Sequence, residues 1–203
     1  GLAGNALTTG SNNTVVGRDA LGADTLGSRA VAIGDAALQS QNFTTATENY
    51  NVAVGYAAGA NVTTGAHNTF VGGQAGDANT TASSNTGIGK ESLTTNTTGG
   101  DNSALGRRSL NSNTTGSSNT ALGLETLFAN TTADNNTAVG TGALTANTTG
   151  HSNTAVGSLA GDAITTGDQN VAMGRAALTA LTTGDQNIAI GVSALEAATT
   201  SSI

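Results

Sequence analysis

A glycine returns in this chain on a fixed beat, and that spacing leaves few folds open. An N-x-x-aliphatic-G group closes at Gly17, Gly34, Gly55, Gly72, Gly89, Gly106, Gly123, Gly140, Gly157, Gly174 and Gly191. Successive gaps are 17, 21 and then eight intervals of 17 residues. A biased but irregular composition would lose such a register within a few copies, so each unit reads as one turn of a solenoid. The chain is therefore expected to be a single repeat domain, 1–203, broken only by a four-residue insertion within 41–50.

Counting the closing glycine as position 17, position 16 is aliphatic or Met in every unit, position 15 is mostly Ala, and position 14 is Thr, Ser, Val or Ile. β-branched residues at alternating positions predict a short strand with 14 and 16 on one face and 15 on the other. Position 13 is Asn in ten of eleven units, Ala30 being the exception. Stacked coils would align Asn68, Asn85, Asn102, Asn119, Asn136, Asn153, Asn170 and Asn187 into a hydrogen-bonded ladder. Thr-Thr-Gly at positions 8 to 10 marks a second turn. Two turns and two short strands fit 17 residues, so the predicted fold is all-β, a two-sided parallel β-roll (a β-solenoid) of about twelve coils.

Position 4 adds a volume rule. Seven of the eleven complete units carry Leu there, usually with Asn, Asp or Gln at position 7. The other four carry Gly, and three of these place Leu7, Val62 or Ile164 at position 7 instead. Each coil thus offers one large aliphatic from one of two places, as a thin, close-packed core requires. Asn79 and Leu181 break the rule.

Composition narrows function by exclusion. Charged residues are 9%, with 29 Gly and no Pro, Cys or Trp, too few bulky groups to fill a globular core. The net charge is −7 and the six cations are scattered, so no basic stripe offers itself to nucleic acid. No apolar run reaches the ~18 residues of a membrane span. The sequence begins within a repeat and carries no polar cap, so a longer fibre is expected, with export signal and anchor outside this segment. No carboxylate pair, nucleophile–base set or phosphate loop stands out, and neither enzyme activity nor a cofactor is expected. Asp134, Asp168 and Asp185 share position 11, yet the calcium-roll pattern is missing, and His67 and His151 have no second His or Cys near them in sequence; no metal is expected.

N-T-A-V-G-x-x-A-L, at Asn136–Leu144, resembles the head repeats of trimeric autotransporter adhesins. The fuller unit Ala143–Gly157 looks like repeats of bacterial and phage tail-fibre-type proteins, and the likeness spans the chain. The resemblance implies a left-handed parallel β-roll, a homotrimer displayed outside the cell or virion, and attachment to a cell-surface glycan or protein receptor. Adhesin coils are usually a few residues shorter than 17, a departure that bears on coil geometry.

Three sets of residues carry the functional expectations. Phe43, Tyr50, Tyr56 and Phe70 fall within 28 residues at the insertion and form the candidate receptor contact; alternatively, Phe43 and Tyr50 plug a loop or a subunit cleft. A column of Ala104, Ala121, Ala138, Ala155, Ala172 and Ala189 is the candidate trimer interface, a small-residue stripe suited to close subunit approach; the plainer reading is small residues tolerated on a flat sheet. Arg18, Lys90, Arg107 and Arg175 at position 1 read either as subunit salt bridges or as a solvated face. Thr pairs at positions 8 and 9 in nine units motivate the alternative function, a monomeric ice-binding solenoid.

Overall fold

The computed structural model describes residues 1–197 and 199. The chain is all-β, a parallel β-solenoid whose coils repeat every 17 residues. The strands are β1 (Thr14–Val16), β2 (Gly27–Ser28), β3 (Val31–Ile33), β4 (Thr47–Glu48), β5 (Val52–Val54), and then β6 (Thr69–Val71) to β13 (Ile188–Ile190) at one per coil. Eleven of them form one parallel sheet in sequence order, each position aligned with its counterpart in the next coil, as in Thr137↔Thr154 and Val139↔Val156. At about 4.8 Å per strand step, the sheet is roughly 50 Å long.

The predicted second strand is not formed in the regular coils. Among the described residues only β2 and β4 make a second sheet, and they flank the insertion. The cause lies in how positions 7 to 13 spend their polar groups. Both the Thr114 N–H and its hydroxyl donate to the Thr131 carbonyl of the next coil, at 2.8 and 3.0 Å. The carbonyl at position 10 points inward and is taken by side chains, leaving no alternating ladder for a strand to use.

The coil 107–123 shows what fills the interior. Ser109, Leu110, Asn113, Gly116, Asn119 and Ala121 are buried, and the remaining residues reach solvent at least in part. Half of that interior is polar, which is stable only if each group is paired. Asn119 donates its backbone N–H to the Asn102 side-chain oxygen at 3.0 Å and its amide to the Ala133 carbonyl at 2.8 Å. The position-13 ladder therefore runs chiefly through the main chain rather than from amide to amide.

A second ladder at position 7 is more literal. Asn96, Asn113, Asn130 and Asn147 each donate to the side-chain oxygen of the Asn one coil before, at 2.7 to 3.0 Å. The two ladders meet on one acceptor: the Gly116 carbonyl receives Asn113 at 2.8 Å and Asn102 at 2.9 Å. The position-7 ladder ends where Ile164 replaces Asn, and the Asn147 side-chain oxygen is left buried without a partner.

Gly at position 17 answers two demands at once. Its φ lies between +124° and +142° in the regular coils, and a Cβ on Gly106 would stand 2.6 Å from the Gly123 carbonyl carbon. The aliphatic side chains set the rest of the core. Leu at position 4 and Ala at position 15 are fully or almost fully buried in the complete coils, each such Leu contributing about 2 kcal/mol by its burial, while Leu195 in the last coil is 37% exposed.

Candidate functional site

The alanines expected at a subunit contact are inside the coil. Ala104, Ala121, Ala138, Ala155, Ala172 and Ala189 are at most 2% exposed in the single chain. The strand does alternate, but with the opposite sense: position 15 faces the Leu column across a thin interior, and opposite a Leu only a small residue fits. Positions 14 and 16 face outward instead. Val16, Leu105, Met173 and Ile190 are among the exposed large hydrophobics, with Ile190 reaching 69%. Neither column carries a charge on any of the eleven strands, so the outer face is a neutral ribbon of Thr, Ser and aliphatic side chains running the length of the sheet.

Phe70 shows why the face could have been read correctly. It is the one bulky aromatic at position 15 and is fully buried. A Cβ on Gly76, at position 4 of the next coil, would collide with its ring, and one on Gly87 would lie 3.1 Å from it. The ring occupies the space of a Leu, which resolves the Asn79 exception to the volume rule. Two glycines beside one Phe were the sequence signal that position 15 is interior.

The four aromatics consequently do not form one contact surface. Phe43 is buried at 6% exposure and Phe70 is core, while Tyr50 and Tyr56 are exposed. Tyr50 lies between column neighbours at position 12, with the Arg29 guanidinium 5.8 Å from one ring centre and His67 stacked 5.6 Å away at 15°. Its hydroxyl donates to Glu48 at 2.7 Å, and Arg29 pairs with Glu48 at 2.9 Å. The hydrogen bond from Tyr50, then that from Arg29, holds the Glu48 carboxyl below its usual range, and the same Glu48 bond raises Tyr50. Tyr50 is thus tied along the solenoid axis and pins the insertion to the rod.

Beneath it sits a buried polar cluster that the sequence reading missed. The Asp24 carboxylate is fully buried and accepts from Gln41 at 2.7 Å, from the Phe43 N–H at 3.0 Å and from the Gly27 N–H at 3.1 Å. Gln41 in turn accepts from Asn51 at 2.8 Å. The gap in the Asn ladder at Ala30 is repaired here: Asn49, beside the insertion, accepts the Asn51 N–H at 2.9 Å. Asp at position 7 in the unit before the insertion was the available clue.

Column 11 forms another acceptor series. Asp134 accepts the Ser117 N–H, His151 Nδ1 accepts the Asp134 N–H, and Asp168 accepts the His151 N–H, at 2.6, 2.9 and 2.6 Å. Ser28 and Ser83 serve the same purpose elsewhere, so any side-chain acceptor suits this position. Among the described residues no group of three or more His, Cys, Asp or Glu is placed to hold a metal ion, and no pocket opens on the surface. Among the described residues no helix is long and apolar enough to cross a membrane.

Three of the four position-1 cations pair within the chain, and Arg175 has no ion pair among the described residues. Arg18 binds Asp35 of the next coil at 2.7 Å, which raises the guanidinium and lowers the carboxyl. Lys90 lies 3.1 Å from Glu91, and Arg107 lies 3.8 Å from Glu125, which Arg108 holds more closely at 2.8 Å. All are surface pairs of small energetic weight.

No protein-family model matches the chain, and searches of curated proteins and of solved structures find no match.

Proposed function

We propose that this chain is a segment of a non-enzymatic extracellular fibre, displayed on a cell or virion, that mediates attachment to a cell or host surface. The observation that supports this reading is the uncharged outer face, continuous over eleven strands. An uncharged ribbon with an outward aliphatic column along its whole length is suited to association. Columns 14 and 16, not the alanines, are then the subunit contact, and the homotrimer and left-handed winding rest on the resemblance to adhesin head and tail-fibre repeats. Closed rotational symmetry would bring one face of each rod to a common axis and leave columns 1, 9 and 12 outside. Three parallel copies would present each surface site three times, so contacts weak in one chain become strong by avidity. The partner is a cell-surface glycan or protein receptor; nucleic acid does not suit the net charge of −7.

The test is adhesion of beads coated with the purified chain to a panel of bacterial and animal cells. Binding that soluble chain competes away supports attachment. Beads that bind no surface, although the chain on them is folded, overturn it.

One observation favours a second reading, a monomeric ice-binding solenoid. Thr recurs at position 14 on the outward, flat side of the sheet, as in Thr120, Thr137 and Thr154. The Thr columns that first motivated the idea fit it less well, because the position-8 hydroxyls donate to the next coil. Thermal hysteresis in a chain that remains monomeric would select this reading.

A further inference from the structure

We infer that column 1 carries a binding site for an acidic saccharide, built by Tyr56, Gly73, Lys90 and Arg107; the inference rests on the attachment reading and names the ligand class. These four residues lie on successive coils. Main-chain bonds fix them side by side: the Gln74 N–H donates to the Tyr56 carbonyl at 2.8 Å, the Glu91 N–H to Gly73 at 3.0 Å, and the Arg108 N–H to Lys90 at 3.0 Å. Tyr56 is 62% exposed, and its side chain makes no hydrogen bond or ring contact among the described residues. It differs in this from Tyr50, whose ring is held between Arg29 and His67.

Gly73 makes the notch, a shallow step on an open surface rather than an enclosed pocket. A Cβ built there meets nothing within 4 Å, and its φ is not in the left-handed region, so the turn it lies in does not require glycine. The same column accepts Tyr, Lys, Arg and Leu in other coils. Absence of a side chain at Gly73 opens a gap between Tyr56 and Lys90, two coils or about 10 Å apart. A sugar ring fits there with its C–H face on the tyrosine.

Charge sets the class of sugar. Among the described residues Lys90, Arg107 and Arg108 pair with two carboxylates, Glu91 and Glu125, and Arg108 also lies 4.6 Å over the Phe128 ring, so three cations meet two carboxylates. Arg107 has the loosest partner and is 58% exposed, and Lys90 is 64% exposed. Half of the six cations in a chain of net charge −7 are thus gathered beside the notch, with one positive charge in excess. A guanidinium can grip a carboxylate through two parallel N–H bonds, which a neutral sugar cannot provide. A sialic or uronic acid residue supplies both the ring and the carboxylate.

The experiment is saturation-transfer NMR and titration of the chain with sialyllactose, with a hyaluronan tetrasaccharide and with lactose. At least one acidic probe should bind, with saturation reaching its ring protons from Tyr56, and at least 10-fold more tightly than lactose. The two acidic probes separate a sialyl from a uronyl source. Tyr56→Ala, Arg107→Gln and Gly73→Leu should each weaken binding 10-fold or more. Gly73→Leu places at this coil the residue that Leu124 already carries at position 1, so an unchanged thermal melt is expected. Failure of both acidic probes to bind, or binding that survives Gly73→Leu, overturns the site. Cell adhesion that persists in all three variants leaves attachment standing and removes the notch; a wild-type chain that adheres to nothing yet binds the acidic sugar removes attachment and keeps the notch.

Discussion

Leu110 sits at φ +49°, in a region where an L-residue with a Cβ is disfavoured by about 1 kcal/mol or more, and its counterparts in seven other coils do the same. Positions 2 and 12 repeat this conformation with non-glycine residues. The fold tolerates it because the strained peptides are hydrogen-bonded to the neighbouring coil, as when the Leu110 N–H donates to the Thr126 carbonyl at 3.0 Å. At position 4 the Leu side chain repays the strain by burial. At position 12 an exposed Ser gains nothing from it. Ser84→Gly and Ser118→Gly should therefore each raise stability by about 1 kcal/mol in urea denaturation, and Ser118→Val should lower it. These angles were poorly legible in the sequence, because Ser, Leu and Arg carry no left-handed signature and the hints were scattered: Gly at position 4 in four units, Gly142 at position 2, and Asn12, Asp101 and Asn135 at position 12.

Asp162 supplies a pH prediction. Burial pushes its carboxyl above the usual range, against weaker help from the backbone N–H groups of Asp162 and Ala163, and one oxygen is buried without a partner. The folded chain then keeps this proton to a higher pH than the unfolded chain. Stability falls as pH rises from the unfolded to the folded pKa, and the penalty is fully present above the latter. Asp162→Asn should raise the melting temperature at neutral pH, with a gain that fades as pH drops through the carboxylate range. An equal gain at pH 3 and pH 7 would mean that the charge is not the cause.

Between coils, the unit of stability is the column. The Leu-or-Gly exchange at position 4 was visible in the sequence and holds in the structure, where a Cβ on Gly161 would stand 3.0 Å from both Leu144 and Ile164. The second Asn ladder was visible only as a polar preference at position 7, since pattern alone does not say that a polar residue faces inward. The sense of the strand was misjudged for a similar reason. Larger residues at 14 and 16 looked like core, but the interior is too thin for them opposite Leu. These two facts give a coupled prediction. Gly161→Leu alone crowds Ile164, and Ile164→Asn alone leaves a void, but the pair rebuilds the common coil and gives the Asn147 oxygen a donor, passing the unpaired acceptor on to the introduced amide beside Leu181. The double variant should be at least as stable as wild type, with a coupling of about 1 kcal/mol or more between the two changes in a double-mutant cycle.

Along the full rod, period and insertion were legible because a solenoid writes its geometry once per turn. Its number of sheets was not, since the Thr-Thr-Gly segment bonds coil to coil without forming a strand. What the rod presents to its surroundings follows from the inward alanines: an uncharged face of columns 14 and 16, and a polar remainder. The assembly proposed here depends on that face. Light scattering on a sizing column, comparing wild type with a Leu105→Glu/Leu122→Glu variant, tests it directly. Wild type should elute at about three times the 19.6 kDa chain mass, and the variant, with two charges set on outward positions that leave the core untouched, as a folded monomer. A monomeric wild type, or a trimer that survives both charges, would show that this face does not hold subunits together.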